Sequence, residues 1–166
     1  GTNTSVRVLA VKGAFIFAGT EFGGVFRSTD NGENWSAVNN GLGSSLYVYA
    51  MAVSGTTLFA GTYNSTGGVF RSTDDGASWT AASNGLNSTY IRALAVHGSD
   101  LWVATLNTGI YISTNNGTSW TPRNNGLSNP AEHGFAFVDP YSFVSTLGGG
   151  GVARSTDNGL SWTQVA

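Results

Sequence analysis

Short runs of β-branched and aromatic residues alternate with Gly-, Asn- and Ser-rich punctuation along the whole chain, and the runs come in fours. The first is Ser5-Val6-Arg7-Val8-Leu9-Ala10-Val11, which Lys12-Gly13 turns back into Phe15-Ile16-Phe17-Ala18-Gly19-Thr20. After Glu21-Phe22-Gly23-Gly24 come Val25-Phe26-Arg27-Ser28 and then Trp35-Ser36-Ala37-Val38. Runs of this length and composition, bounded by turn residues, predict strands, here called a to d. The same order returns at 47–53, 57–62, 68–72 and 79–82, then at 90–96, 101–105, 110–113 and 120–121, and with more drift at 132–138, 141–146, 152–155 and 162–165. Runs such as Ala93-Leu94-Ala95-Val96 are apolar on both faces, which predicts sheets covered on both sides by neighbours. No stretch carries a helical period of useful length.

Between strands c and d the chain writes one pattern four times, Ser-Thr-Asp/Asn-x-Gly-x-x-Trp, at a period of about 42 residues, and a fixed period of this kind marks a repeat architecture. The fixed positions are Asp30, Gly32 and Trp35, then Asp74, Gly76 and Trp79, then Asn115, Gly117 and Trp120, then Asp157, Gly159 and Trp162. An Asp or Asn at the head of a turn accepts backbone N–H groups, and Gly supplies the positive φ that such a turn requires. The Trp is expected at the start of strand d, its ring packing between sheets while its N–H finds one acceptor. Turn chemistry thus accounts for every fixed residue without a substrate. Four short strands per unit and four units predict an all-β chain, a β-propeller of four consecutive four-stranded blades. The blades are placed at approximately 5–38, 47–82, 90–121 and 132–166 of a single domain, 1–166.

The hairpin resembles the Asp-box, or bacterial neuraminidase repeat, of sialidases, some xyloglucan-cleaving glycosidases, sortilin-type receptors and propeller-type photosystem II assembly factors. The resemblance covers the whole chain. It implies that the boxes lie on the rim of a propeller away from any binding site, so it speaks for architecture and is silent on activity.

Charged residues make up 10% of the chain, the net charge is −2, and seven Lys and Arg residues are scattered along it. That balance argues against nucleic acid as a partner, because phosphate binding needs clustered basic residues. No apolar run approaches the roughly 20 residues that span a bilayer, so membrane insertion is not expected. The absence of cysteine excludes disulfides and thiolate metal sites. His97 is expected on an a–b turn and His133 on the opposite face, so no two-His metal site is predicted, and no cofactor. The Ser-, Thr-, Asn- and Gly-rich, weakly charged composition suggests a secreted or cell-surface bacterial protein from which a targeting segment has been removed. The interblade linkers Asn39-Asn40-Gly41-Leu42, Ser83-Asn84-Gly85-Leu86 and Asn124-Asn125-Gly126-Leu127 read as turns, with each Leu plugging a blade edge.

In an up-and-down blade the a–b and c–d connections share one face, so the d–a and b–c loops share the other. Aligning the repeats puts Arg7, Tyr49, Arg92 and Gly134 in one column at the start of strand a, with Glu132 and His133 beside it. The b–c loops add Glu21, Phe22, Tyr63 and Asn107. Only here do polar and aromatic side chains outside the repeat converge, which makes Arg7, Glu21, Tyr49, Tyr63, Arg92, Glu132 and His133 the candidate ligand-binding face. No catalytic residue is assigned. Two arginines, a tyrosine and a glutamate approximate a sialidase set, but the Arg-Ile/Leu-Pro segment, a third arginine and a free Asp are missing. A two-carboxylate glycosidase would have only Glu21 and Glu132 to work with. The sequence therefore favours a non-catalytic extracellular module for protein or glycan binding or structural display. The alternative is a fragment of an Asp-box glycoside hydrolase. The recurring Arg27, Arg71 and Arg154 read as blade-to-blade contacts. Because every blade is built from its own contiguous strands, the first and last are expected to leave apolar faces open. The expectation is a homodimer forming an eight-bladed ring, or a segment of a longer array.

Overall fold

The computed structural model describes residues 5–44, 46–128, 132–146 and 149–166, and every regular element among them is a β-strand. The first sheet contains β1 (Val6–Lys12), β2 (Phe15–Thr20), β3 (Val25–Ser28) and β4 (Ser36–Ala37), and the second β5 (Val48–Ser54), β6 (Thr57–Thr62), β7 (Val69–Ser72) and β8 (Thr80–Ala81). The third contains β9 (Ile91–His97), β10 (Asp100–Thr105), β11 (Ile110–Ser113) and β12 (Thr121–Pro122), and the fourth β13 (Glu132–Val138), β14 (Tyr141–Thr146), β15 (Gly151–Ser155) and β16 (Thr163–Gln164). Within each sheet the strands lie in chain order and pair antiparallel. These are four propeller blades.

The hairpins between the third and fourth strands share one hydrogen-bond scheme. Ser28 Oγ donates to Asp30 Oδ1 at 2.8 Å and accepts the Gly32 N–H at 2.9 Å, while Asp30 Oδ1 accepts the Asn34 N–H at 2.9 Å. Ser72, Asp74, Gly76 and Ser78 repeat it, as do Ser113 with Asn115 and Ser155 with Asp157. The Ser is therefore as much a part of the turn as the Asp. So is the residue between Asp and Gly: Asn31, Asp75, Asn116 and Asn158 all have φ between 54 and 60°, a left-handed conformation that Asn and Asp tolerate better than other side chains. The tryptophans differ from expectation. The outer strands are two residues long and begin one residue after the Trp in all four blades, and the Trp79, Trp120 and Trp162 backbone N–H groups leave their own sheet and donate to the Asn40, Asn84 and Asn125 carbonyls of the preceding linker at 2.8–2.9 Å.

Packing runs from blade to blade. β1 packs on β5, β5 on β9 and β9 on β13, and each hydrophobic cluster is one such junction. Val8, Ala10 and Phe17 of the first blade meet Val48, Met51 and Leu58 of the second. Phe59 meets Ile91, Leu101 and Val103, and Trp102 meets Phe135, Phe137 and Val144. Small residues let the sheets approach: a Cβ on Gly19 would lie 2.7 Å from Val48 Cγ1, and one on Gly61 2.5 Å from Ile91 Cγ2. Across each junction an indole N–H crosses to the previous blade, Trp79 to the Val38 carbonyl at 2.8 Å, Trp120 to Ala82 at 2.7 Å and Trp162 to Arg123 at 2.9 Å. Arg27 Nη1 likewise reaches the Asp75 carbonyl at 2.8 Å. The linkers are held as tightly. Asn39 and Asn124 each accept a backbone N–H at 2.7 Å and donate to a backbone carbonyl, so both ends of these amides are occupied by the chain itself.

The carboxyl groups of Asp30, Asp74 and Asp157 are held down to about 2 from the ordinary 3.8. For Asp30 the largest cause is the Asn34 backbone N–H, and for the others the hydroxyls of Ser78 and Ser161. A folded-state value below the unfolded one means that the ionised turns contribute fully above about pH 4 and lose that contribution as pH falls through about 2. Asn115 marks the uncharged solution to the same turn. Changing Asp30, Asp74 and Asp157 together to Asn is expected to lower the urea midpoint at pH 7 and to flatten its fall between pH 4 and pH 2. Equal acid sensitivity in wild type and variant would refute this account of the turns.

Candidate functional site

At the end of the blades opposite the hairpins, the first strand of every sheet carries a β-bulge at the same place. The pairing jumps between Val6 and Val8, Val48 and Ala50, Ile91 and Ala93, and Glu132 and Gly134. The extra residues are Arg7, Tyr49, Arg92 and His133. The structure thus corrects the sequence alignment at the fourth blade, where His133 and not Gly134 occupies the column; the four bulge residues are unequally spaced along the chain, and a constant step from Arg92 overshoots by one. The side chains of Glu132 and His133 lie outside the described residues.

Loops between second and third strands rise beside these bulges, and a buried threonine at the end of each second strand shapes them. Thr20 Oγ1 donates to the Gly24 carbonyl at 2.9 Å and accepts the Gly23 N–H at 3.0 Å. Thr62 and Thr105 do the same work in the next two blades. On these loops stand Glu21, Phe22 and Tyr63, and Tyr63 is bridged by its backbone to Tyr90.

The result is a continuous aromatic and cationic cluster. Arg7 Nη2 donates to Glu21 Oε2 at 2.7 Å, and the Tyr47 hydroxyl donates to Glu21 Oε1 at 3.2 Å. Tyr49 lies between two guanidinium groups, 5.8 Å from Arg7 and 5.6 Å from Arg92. Arg92 also sits over Tyr63 at 4.8 Å and donates to its hydroxyl at 3.2 Å. Rings of Phe22, Tyr47, Tyr49, Tyr63 and Tyr90 follow one another at 5.1–6.0 Å. Beside Tyr90 opens a cleft of about 440 Å³ lined by Leu86, Asn87, Ser88, Thr89, Tyr90, Asn107 and Thr108. The Glu21 carboxylate raises the Arg7 guanidinium above its ordinary value through their hydrogen bond, and burial, reinforced by the Glu21 charge, raises the Tyr47 phenol. Arg7 is neutralised by Glu21, whereas Arg92 has no carboxylate within ion-pair distance among the described residues, and its Nε is buried without a hydrogen-bond partner.

Of the sequence candidates, Arg7, Glu21, Tyr49, Tyr63 and Arg92 converge here. Tyr47 and Tyr90 belong to the same cluster and were not selected. Their signal was present, since each stands immediately before the first strand of its blade. His97 lies on the far face, bonded to Asp139 at 2.9 Å and stacked on Phe137 at 4.5 Å. Asp100 accepts from Asn158 of the next blade. Neither contributes to this face.

Stacked four-stranded blades with a loop-bearing rim define a β-propeller, and the chain's sequence agrees. Residues 2–135 match the DUF6242 beta propeller domain, and the chain belongs to that family. No curated protein is similar enough in sequence to match it. Among solved structures it is similar to the extracellular domain of a hybrid two component system from B. thetaiotaomicron, with 20% identity, 100% of this chain and 22% of that one covered, and a TM-score of 0.77. It is similar to the GH74 xyloglucanase from Xanthomonas campestris, with 19% identity, 100% and 31% covered, and a TM-score of 0.73. YCF48 bound to D1 peptide gives 19% identity, 99% and 55% covered, and a TM-score of 0.69. At these identities the likeness establishes a shared fold, and the chain spans between about a fifth and a half of the length of these structures.

Tyr49→Leu removes the ring between the two guanidinium groups and keeps an apolar side chain. With each cation–π contact worth about 0.5–1 kcal/mol, a loss of about 1–2 kcal/mol in urea unfolding is expected. A midpoint equal to wild type would show that these groups are energetically independent.

Proposed function

We propose that the chain is a non-catalytic, extracellular ligand-binding module of the Asp-box propeller type, and that the bulge-bearing face holds the ligand. The observation that carries this reading is the cluster itself: five rings and two arginines drawn from three blades, partly open to water, at the one rim where the repeat is not kept. Aromatic faces stack on sugar rings and on apolar peptide side chains, and Arg92 offers a guanidinium whose natural complement is a carboxylate. A protein segment or a glycan bearing an acidic group fits both features. Glu132 and His133, on the neighbouring blade, extend this face in the proposal. The Ser-Thr-Asp/Asn-x-Gly-x-x-Trp hairpins, on the opposite rim, are assigned to structure alone. An extracellular setting is supported by the B. thetaiotaomicron neighbour, an extracellular domain, and a protein ligand by the YCF48 structure, which holds a peptide.

The second reading is a fragment of an Asp-box glycoside hydrolase, sialidase-like or xyloglucanase-like, and the GH74 neighbour favours considering it. Glycoside hydrolysis ordinarily needs two carboxyl groups flanking the scissile bond. Glu21 is engaged by both Arg7 and Tyr47, which suits a structural carboxylate better than a proton donor.

The test pairs binding with turnover. Wild-type protein is screened on an array of glycans and acidic peptides and incubated with fluorogenic sialosides and xyloglucan. Binding without hydrolysis is expected, and Arg7→Ala with Arg92→Ala should weaken it by at least about tenfold, roughly 1.4 kcal/mol, while the far-ultraviolet circular dichroism at the assay temperature stays that of wild type and the urea midpoint falls only by the loss of the contacts these arginines make with Tyr49, Tyr63 and Glu21. Unaltered affinity in the double variant would place the ligand elsewhere, and measurable hydrolysis would overturn the non-catalytic reading.

A further inference from the structure

The three junctions between blades are built to one plan, and the chain displays both halves of a fourth. On β1 the residues that face away from the second blade, Val6, Leu9 and Val11, are 56%, 63% and 65% exposed, whereas at the first two of these places on β5 Val48 is 0% and Met51 7% exposed. Trp35 is 39% exposed against 3–5% for Trp79, Trp120 and Trp162, and its indole N–H bends back to its own turn, donating to the Gly32 carbonyl at 3.0 Å. At the other end, Ala136, Val138 and Tyr141 of the fourth blade are exposed. Phe143 occupies the place of Phe17, Phe59 and Trp102, each of which is 0% exposed inside a junction, but is only partly covered. Among the described residues β13 makes no packing with β1 comparable to that between successive blades.

We propose that these two surfaces meet on a second copy of this chain: the open face of the first blade docks on the open face of the partner's fourth blade, and the reciprocal contact closes a two-copy ring of eight blades. The position-by-position match supports this occupant. The Val165 carbonyl stands where Val38, Ala82 and Arg123 accept an indole, so Trp35 of one copy donates to Val165 of the other. Arg154 lies over Tyr141 at 5.2 Å, the pose of Arg27 over Phe15 at 5.3 Å. Arg27 uses that pose to reach the Asp75 carbonyl of the next blade, and the equivalent carbonyl for Arg154 is that of Asn31 in the second copy. Ser145 holds the place of Gly19, Gly61 and Ala104, so the fourth junction carries a Cβ there as the third does at Ala104, whereas the two glycine junctions would not admit one. Head-to-tail surfaces of this kind either close or propagate, and eight blades lie within the range that propellers adopt. The proposal rests on blade packing and is independent of the ligand reading.

Light scattering of the 166-residue chain at micromolar concentration is expected to give a species of twice 17.2 kDa; a 17.2 kDa monomer, or a ladder of larger assemblies, overturns the ring. Leu9→Glu and Ala136→Glu alter opposite ends and should each yield monomer. If Ala136→Glu leaves the dimer intact while Leu9→Glu breaks it, the contact is head to head and the proposal fails. A third measurement leaves the apolar centres of both faces intact. The chain has no cysteine, so Asn31→Cys and Tyr141→Cys, placed where Asn116 and Thr57 touch at 3.2 Å across a junction, report on one contact. A short bis-maleimide should link chains carrying both changes and leave either single variant unlinked. Cross-linking of a single variant contradicts head-to-tail docking.

Discussion

Everything in this chain depends on the bond that carries one blade's tryptophan into the blade before it. The turn of Ser, Asp or Asn, and Gly ends with the Trp lifted off its own sheet, so that its backbone N–H and its indole N–H both reach the previous linker and outer strand. A neutral hydrogen bond contributes about 0.5–1.5 kcal/mol net, and burial of an indole contributes more than either bond alone. The bonds therefore set geometry more than energy. They fix how far one sheet slides against the next, and that in turn decides that Val48 seats on Gly19 and Ile91 on Gly61. Local turn chemistry and long-range packing are consequently one device, written once per repeat.

A stack governed by nearest-neighbour contacts behaves as a one-dimensional array. Interior blades have both faces covered; terminal blades have one. That difference is visible at single residues, in the contrast between Trp35 and its three counterparts and between Leu9 and Met51. The terminal blades have kept the apolar residues that interior blades need. The uncovered face of the first blade carries Val6, Leu9 and Val11. Large open apolar faces on a folded chain mark contact surfaces.

How much of this was legible in the sequence follows from which residues repeat. Period and turn chemistry located the four blades, because Asp74, Gly76 and Trp79 have jobs that no other side chain performs at those places. The start of the outer strand was misplaced by one residue because Trp reads as a strand residue by propensity, whereas pairing begins only after it, and in three blades its backbone donor is taken by a linker of the preceding blade. The bulge was invisible for a similar reason. Nothing in Val6-Arg7-Val8 announces an unpaired residue, and only the partner strand reveals that Arg7 is skipped. Convergence of Arg7, Tyr49, Arg92, Glu21 and Tyr63 followed from topology alone. Tyr47 and Tyr90 escaped notice because they were counted as the opening residues of the strands 47–53 and 90–96, whereas those strands begin at Val48 and Ile91 and leave both tyrosines on the rim.

The two rims differ in what they can tolerate, and this bears on function. At the hairpin rim the Ser, the Asp or Asn, the Gly and the Trp of the pattern are committed to a turn or a junction, so substitution at those positions costs stability. At the bulge rim the extra residue has left the ladder, and its identity changes from Arg7 to Tyr49 to Arg92 to His133 while the backbone geometry stays constant. Freedom of this kind is what a binding surface requires, because chemistry can be altered without disturbing the sheets that carry it. Shared fold with a xyloglucanase, an extracellular domain of a two component system and YCF48 bound to a peptide is then the expected outcome of one scaffold carrying different rims. What distinguishes this rim is the ratio of its parts: rings outnumber charges, one arginine is neutralised by Glu21, and Arg92, packed over Tyr49 and Tyr63, has no carboxylate partner among the described residues. On the proposed reading, such a surface would hold a ligand by stacking and orient it by one charged contact, a different task from glycoside cleavage, for which paired carboxyl groups would have to stand free.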